Sequence, residues 1–410
     1  MYLKIERCRV CGNRNLVEVL DLGVQALTGV FPKSPSDAVT SGPLRLVKCR
    51  GRDDACGLLQ LAHTYDLAEL YGDNYGYRSG LNASMVTHLH GKVRDILARI
   101  AIEPGALIVD IGSNDATTLR AYPASDSTLV GFDPSGAKFS HFYPPHIRLI
   151  ADFFSSARLR NEFGGRKASV ITSFSMFYDL EAPLQFMQEV SAVLADDGLW
   201  VFEQSYMPTM LARNSYDTVC HEHLEYYALR QIKWMTDRAD LKIVDVEFND
   251  VNGGSFSVTA ARKQSACLQS RRVAEAFQAE ARLGLDTLQP YRDFAQRVAA
   301  SRRKLQRFVR DARRSHKTVA ALGASTKGNV ILQYCGFTSS DIASIGEVNE
   351  DKFGRFSPGS LIPIVPELEL LQSRPDYLLV LPWHFRRFFE SEKRFADHKL
   401  LFPLPDLDVG

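Results

Sequence analysis

The chain has 410 residues, with 49 basic against 48 acidic side chains and a formal net charge of +1. This length favours two or three domains over one core, and the balanced charge gives no reason to expect nucleic acid or a membrane as a partner. The first residues lack the apolar run of a signal peptide, and no apolar run is long enough to span a bilayer. We therefore expect a cytoplasmic protein that is a monomer or a homodimer.

Four of the seven cysteines lie in the first 56 residues, as Cys8-x2-Cys11 and Cys49-x6-Cys56. Two thiolate pairs can converge on one tetrahedral zinc ion, and Gly12 suits the turn that follows the first pair. Residues 1–70 are therefore predicted to form a small domain held by a structural zinc ion. Free thiols or a redox pair are the alternatives, because the second pair is wider than is usual and residues 50–55 read as an insertion.

A tyrosine- and glycine-rich segment, residues 71–80, contains Tyr75 and Tyr77 and leads into a predicted helix over 84–102. Such a loop either packs between domains or forms the wall of a ligand site. From residue 106 the pattern alternates between apolar strands and helices, which indicates a doubly wound parallel sheet. The predicted strands are 106–111, 128–132, 168–173 and 199–203, with a helix over 183–194 and a closing antiparallel pair at 242–248 and 255–261. This domain is placed at 71–265.

Residues 266–410 are predicted to form a helical linker and a second Rossmann-like unit. The helical pattern covers 266–314 with a break near Pro290, and its arginine-rich end reads as a solvated helix face. A strand, loop and helix follow at 318–329, with further strands at 342–345 and 377–381.

Polar residues at the ends of the first two strands of the central domain predict a cofactor site. Ligands of an open parallel sheet collect beyond the carboxyl ends of its strands. The full Gly-x-Gly-x-x-Gly motif is missing, which favours S-adenosylmethionine over a nicotinamide dinucleotide. The plainer interpretation is that any α/β protein carries a glycine and some acids there. The predicted cofactor-binding residues are Asp110, Gly112, Ser113, Asn114, Asp115 and Asp133.

Residues 216–227 concentrate ionisable side chains, among them Asp217, Cys220, His221, Glu222 and His223. Histidine titrates closest to neutral pH, and a neighbouring carboxylate can orient it, so the segment could supply a general base. A polar edge whose side chains are simply hydrogen-bonded is the alternative.

Six motifs, in this order, resemble those of the bacterial sugar C-methyltransferases, which act on nucleotide-linked 4-keto-deoxysugars. The motifs span nearly the whole chain and comprise the four cysteines, 71–79, 109–115, 216–227, 252–256 and 323–329. The resemblance implies an α/β protein with an N-terminal zinc-binding domain, a central Rossmann-like methyltransferase domain that binds S-adenosylmethionine, and a C-terminal Rossmann-like domain.

The resemblance also implies that Glu222, His223 and a tyrosine of the 75–77 loop belong to the active site. We expect His223, oriented by Glu222, to remove a proton beside the ketone. His221, Tyr75 or Tyr77 would donate to the resulting oxyanion or position the sugar. The zinc ion would be structural only.

The turn at 323–329 follows a strand and opens a helix, so its amides can face an anion. In the family this domain helps to enclose the site, and the expected anion is the phosphate or ribose of the sugar nucleotide. A degenerate domain kept for packing is the alternative. The predicted substrate-binding residues are Tyr178, Asn252, Lys327, Asn329 and Arg355.

Three positions depart from the family pattern. Cys220 stands where some relatives have tyrosine, and Ala116 replaces a frequent glycine. Residues 173–179 lack an expected histidine, which leaves Tyr178 or Asp179 as stand-ins. These changes affect the proton relay more than the reaction class.

The expected reaction is methylation, dependent on S-adenosylmethionine, at C3 of a nucleotide-linked 4-keto-6-deoxysugar of the dTDP or GDP type, through an enolate. One alternative is O- or N-methylation of a nucleotide sugar. The others are a zinc-ribbon binding module without catalysis and a nicotinamide-dependent sugar oxidoreductase.

Overall fold

The computed structural model describes residues 2–51, 54–66, 69–70 and 78–409. Tyr75 and Tyr77 lie outside these ranges. The N-terminal domain contains β1 (Tyr2–Lys4), β2 (Leu16–Ala26), β3 (Ser41–Cys49), β4 (Leu59–Leu61) and β5 (His63–Tyr65). Strands β2, β3 and β4 pair antiparallel, and a two-residue strand of the central domain, Glu225–Tyr226, joins the β4 edge.

The central domain begins with α1 (Ala83–Leu97), whose first amides are capped by the Asn82 side chain. The strands that follow are β6 (Leu107–Ile111), β7 (Thr128–Phe132), β8 (Ile147–Ile150), β9 (Ala168–Phe174), β10 (Leu194–Ser205), β11 (Glu225–Tyr226), β12 (Leu241–Asn249) and β13 (Ser255–Arg262). The helices between them are α2 (Gly136–Phe139), α3 (Ser156–Phe163), α4 (Pro183–Val193), α5 (Met207–Ala212) and α6 (Leu229–Thr236).

The sheet of this domain has the order β12-β13-β10-β9-β6-β7-β8. Strands β10, β9, β6, β7 and β8 are parallel, and β13 pairs antiparallel with both β10 and β12. Every residue of β6 is buried, as expected for a parallel strand covered on both faces. The predicted parallel sheet with an antiparallel closing pair is confirmed. Chain order reverses between β6 and β9, which opens a crevice at the carboxyl ends of these strands.

The C-terminal part contains α7 (Arg271–Arg282), α8 (Gln289–Arg314), β14 (Val319–Leu322), α9 (Thr326–Cys335), β15 (Ile345–Glu347), β16 (Ile364–Pro366), α10 (Glu367–Gln372), β17 (Tyr377–Val380), α11 (Arg386–Ser391), β18 (Leu400–Phe402) and β19 (Asp408–Val409). Its sheet has the order β16-β15-β14-β17-β18-β19, and all neighbours are parallel except the last pair. Pro290 lies in the first turn of α8, where its missing N–H costs nothing. The strand predicted at 342–345 begins only at Ile345.

Within the described residues, the helices are too short or too polar to cross a membrane.

Candidate active site

The four N-terminal cysteines come together in one cluster. Their Sγ atoms all lie within 4.8 Å of one another, with 3.5 Å between Cys8 and Cys56 and 3.5 Å between Cys11 and Cys49. Gly12 and Gly57 follow Cys11 and Cys56 at φ +69° and +69°, and this conformation lets the chain turn tightly around the sulfur atoms. Four thiolates in this arrangement fit a closed tetrahedral zinc site. The wide spacing of the second pair does not prevent the convergence.

A cavity of about 1580 Å³ lies where the three domains meet. Its wall includes Gly29 and Phe31 of the N-terminal domain, the carboxyl ends of β6, β7, β9 and β10, and the first turn of α9. The cysteine cluster does not contribute to this wall, so an ion held there could not contact a ligand in the cavity.

The cofactor end of the cavity is formed by the turns after β6 and β7. Gly112 has φ +74°, and the backbone N–H of Asn114 donates a hydrogen bond to the Asp133 carboxylate at 2.8 Å. Asp110 also lines the cavity, and burial raises its pKa to about 7. Ser113 and Asn114 also line the cavity. A glycine turn beside a carboxylate that is fixed at the end of the next strand fits an adenosyl group. Asp133 would accept hydrogen bonds from its ribose hydroxyls.

Asp115 lies beside the predicted cofactor site and not in its wall. Its carboxylate accepts the Gly80 amide at 3.0 Å and the Thr117 hydroxyl at 2.5 Å. The structure therefore corrects its expected role: Asp115 anchors the chain where it enters α1. The next residue, Ala116, is buried at φ +61°, a conformation that costs an alanine energy and that a glycine adopts freely.

His223 lines the cavity with a defined tautomer. Its Nδ1 lies 2.9 Å from the backbone carbonyl of Thr218, and since a carbonyl only accepts, Nδ1 carries the proton and Nε2 the lone pair. The ring packs edge-on against Tyr178, with 4.4 Å between ring centroids. Burial, and then the charge of Lys327, lower the pKa of His223 to about 4. The imidazole is therefore oriented by Thr218 and Tyr178, not by Glu222 as expected.

Glu222 is held from the N-terminal domain. The Thr28 hydroxyl donates to its carboxylate at 3.3 Å, and the Cys220 thiol also hydrogen-bonds to it. Burial raises the pKa of Glu222, and its side chain lines the cavity. Cys220 thus contacts Glu222.

His221 does not reach the cavity. Its ring is fully buried, with Nδ1 at 3.4 Å from the Thr28 hydroxyl and Nε2 at 3.5 Å from the Gly42 carbonyl. The Tyr65 ring packs edge-on against it at 4.6 Å. The expected donation from His221 to a substrate oxygen is thus wrong, because its ring faces Thr28 and Tyr65, whereas the next two residues of the loop line the cavity.

The C-terminal domain contributes cations to the cavity. Lys327 lies in the first turn of α9, and its Nζ donates to the Asn252 carbonyl at 2.7 Å. Asn252 has φ +55°, and both residues line the cavity together with Arg355. The Ala324 amide of the preceding turn donates to Glu347 at 2.9 Å, so this amide is already engaged. The cationic side chains of this domain in the cavity wall include Lys327, Lys352, Arg355 and Arg394.

Asn329 is placed away from the cavity, which corrects its expected contact with substrate. It is fully buried, and its Nδ2 donates to the Thr28 carbonyl at 2.8 Å. Residues 323–329 form one motif in the sequence, but helical periodicity turns Lys327 and Asn329 to different sides of α9.

A histidine–carboxylate pair in the cavity wall was not predicted from the sequence. His88 Nε2 lies 2.6 Å from the Glu203 carboxylate, and Asn249 Nδ2 donates to the same carboxylate at 2.8 Å. Both His88 and Glu203 line the cavity. The only signal in the sequence was an acid at the end of a strand, where ligands of such sheets collect.

Three family models match the chain in sequence. A putative zinc binding domain matches residues 8–71, a methyltransferase domain residues 85–246, and a C-methyltransferase C-terminal domain residues 250–405. The C-methyltransferase NovU of Streptomyces niveus is 31% identical over 409 residues, which cover 98% of this chain and 96% of that protein.

Two solved methyltransferase structures resemble part of the chain. The CcbJ methyltransferase of Streptomyces caelestis is 11% identical, with a TM-score of 0.34, and covers 42% of this chain and 89% of that one. The magnesium protoporphyrin IX methyltransferase of Synechocystis, solved with bound SAH, is 13% identical with a TM-score of 0.34 and covers 48% and 92%. Likenesses this low support no argument. The full-length match and the three domain models establish that the chain belongs to the C-methyltransferase family, with a methyltransferase domain between a zinc-binding domain and the family's C-terminal domain.

Proposed function

We propose that the protein methylates C3 of a nucleotide-linked 4-keto-6-deoxysugar of the dTDP or GDP type. The observation that carries the proposal is that a neutral imidazole with an available Nε2, on His223, lines the same cavity as the carboxylates at the ends of β6 and β7 and the cations of the C-terminal domain. The proposed base, cofactor site and anion site therefore face one space that is large enough for two ligands.

The proposed chemical step is proton transfer from carbon. His223 Nε2 takes the proton from C3, the C–H electron pair forms a C3–C4 double bond, and the carbonyl electrons move to O4. The resulting enolate oxygen needs a positive partner. We propose Lys327 for this role, because its charge lies close enough to lower the pKa of His223. Binding of an anionic acceptor beside Lys327 would offset that charge and raise the basicity of His223.

The remaining residues hold the two ligands. Bound S-adenosylmethionine would supply an electrophilic methyl group, and Gly112 and Asp133 would hold its adenosyl part as argued above. Arg355, which donates to the Phe31 carbonyl at 3.3 Å, would contact the diphosphate of the acceptor. Asn252 fixes the Lys327 ammonium, and Tyr178 keeps the His223 ring in place.

Deuterium exchange tests the enolate without methyl transfer. The enzyme is incubated in D2O with S-adenosylhomocysteine and dTDP-4-keto-6-deoxyglucose, and exchange at C3 is followed by NMR. We expect the wild-type enzyme to exchange deuterium at C3 much faster than His223→Asn does. When S-adenosylmethionine replaces S-adenosylhomocysteine, one methyl group should be transferred to C3.

Other outcomes would decide against the proposal. Methyl transfer to an oxygen or nitrogen without C3 exchange would favour the alternative methyltransferase activity. If a panel of dTDP- and GDP-linked 4-keto sugars gave neither exchange nor methylation, the sugar acceptor would be excluded.

A further inference from the structure

Two residues of the zinc-binding domain, Thr28 and Gly29, reach the Glu222 carboxylate. Thr28 is fully buried, and its hydroxyl lies 3.3 Å from Glu222 Oε2 and 3.4 Å from His221 Nδ1. A hydroxyl has one proton, and a carboxylate is its stronger acceptor. Thr28 therefore donates to Glu222. The His221 Nδ1 is a weaker competing acceptor, because Nε2 of that ring faces the Gly42 carbonyl and carries the proton.

Gly29 faces the other oxygen of the same carboxylate. A Cβ at this position would fall far inside the contact distance of Glu222 Oε1, and it would lie 3.6 Å from the Thr326 hydroxyl. Gly29 is not among the residues with positive φ. A side chain at position 29 would thus displace the Glu222 carboxylate, whereas the backbone conformation of Gly29 does not itself call for glycine.

Helix α9 fixes this segment from the C-terminal side. Asn329 Nδ2 donates to the Thr28 carbonyl at 2.8 Å. The Gln333 amide bonds twice to Ala26, accepting its N–H at 2.7 Å and donating to its carbonyl at 3.1 Å. Since the first turn of α9 lines the cavity, the segment is held by the helix that carries Lys327.

We propose that Thr28 and Gly29 are positioning residues of the active site: Thr28 holds one oxygen of Glu222, and Gly29 leaves the space in which the other oxygen faces the cavity. The inference rests on the proposed function in assigning Glu222 to the active site. It gives the zinc-binding domain a direct part in the reaction, because two residues of that domain position the Glu222 side chain of the central domain.

The test uses the full-length protein with Thr28→Val, Thr28→Ser and Gly29→Ala. Valine matches the shape of threonine and lacks the donor, whereas serine keeps the donor. We expect Thr28→Val to lower kcat about tenfold with an almost unchanged KM for S-adenosylmethionine, since it removes one hydrogen bond to a charged group. Thr28→Ser should keep kcat within about threefold, and Gly29→Ala should lower kcat at least as much as Thr28→Val.

Two readouts separate positioning from loss of structure. Zinc content and melting temperature should stay close to wild type in Thr28→Ser and Gly29→Ala. The double variant Thr28→Val/Glu222→Gln should be no slower than Glu222→Gln alone, because the hydroxyl acts through the carboxylate. Wild-type kcat in Thr28→Val, or full additivity in the double variant, would overturn the inference.

An infrared titration tests the contact independently of the reaction. The Glu222 carboxyl band is identified by difference from Glu222→Gln, and its pKa is measured in each Thr28 variant. Loss of the donor should raise the pKa of Glu222 by about one unit in Thr28→Val, and Thr28→Ser should leave it near wild type. An unchanged titration in Thr28→Val refutes the positioning role whatever the acceptor is, whereas a raised pKa in a protein that is inactive on 4-keto sugars refutes only the proposed substrate.

Discussion

The Nδ1–H of His223 donates to the backbone carbonyl of Thr218 across a 2.9 Å contact within one loop. The loop therefore orients its own imidazole and leaves the Nε2 lone pair for the cavity. Burial and the charge of Lys327 keep the ring neutral at pH 7, because they lower its pKa to about 4. In the proposed function His223 is therefore a neutral base, and its basicity rises when an anionic ligand offsets the charge of Lys327.

Replacing His223 with asparagine should abolish most turnover. The asparagine amide can still donate to the Thr218 carbonyl but has no basic nitrogen, so kcat should fall by about 10²–10⁴. Binding of S-adenosylhomocysteine, measured by calorimetry, should change little. The matched control is His316→Asn on an exposed turn at φ +54°. A kcat of His223→Asn within a few fold of wild type would remove His223 from the proposed role.

Removing the charge of Lys327 should shift the acid limb of the pH profile of kcat/KM. This limb reports protonation of the base in the free enzyme, and the positive charge of Lys327 lowers the pKa of His223. Removing the charge in Lys327→Met should therefore raise that pKa and move the limb to higher pH, by about one unit. Lys304→Met, at an exposed position, should leave the limb in place. A limb that stays fixed or moves to lower pH in Lys327→Met would contradict the assignment.

Burial of His221 should make stability depend on pH. Its pKa falls from 6.5 to about 4 in the folded chain, with burial as the main cause. The unfolded chain binds this proton first, so the contribution is complete above pH 6.5 and is lost as pH falls towards 4. Urea unfolding at pH 7.5 and 4.5 should show a pH-dependent loss smaller by about 2–3 kcal/mol in His221→Gln than in wild type. Equal losses in both proteins would show that His221 is not buried in the neutral form.

Loss of one cysteine of the cluster should affect both metal and activity. In Cys8→Ser we expect loss of bound zinc and a melting temperature lower by about 10 °C, because metal binding is coupled to folding of such a small domain. Turnover should fall as well, since β11, directly after the His223 loop, pairs with β4 of this domain. Cys267→Ser, outside the cluster, is the control. Retained zinc measured by atomic absorption would contradict the four-cysteine site.

The sequence by itself determined most secondary-structure elements and the residue types that hold them in place. Apolar strands such as 107–111 and the paired cysteines carry local signals, because burial on both faces and metal ligation each restrict residue type over a few positions. The sheet and the cysteine cluster follow from such signals. Gly112, Asp133 and Lys327 are expected at the cavity from their places at strand ends and a helix start, and His223 is chosen through the family resemblance.

Only the tertiary structure decided which neighbours in sequence share a site. His221 and His223 are two residues apart, yet one packs against Tyr65 and the other lines the cavity; Lys327 and Asn329 divide in the same way. Partners from distant segments, such as Thr28 for Glu222 and Glu203 for His88, carry no local pattern. The physical reason is that side-chain direction depends on the local backbone, whereas contact depends on how three domains pack.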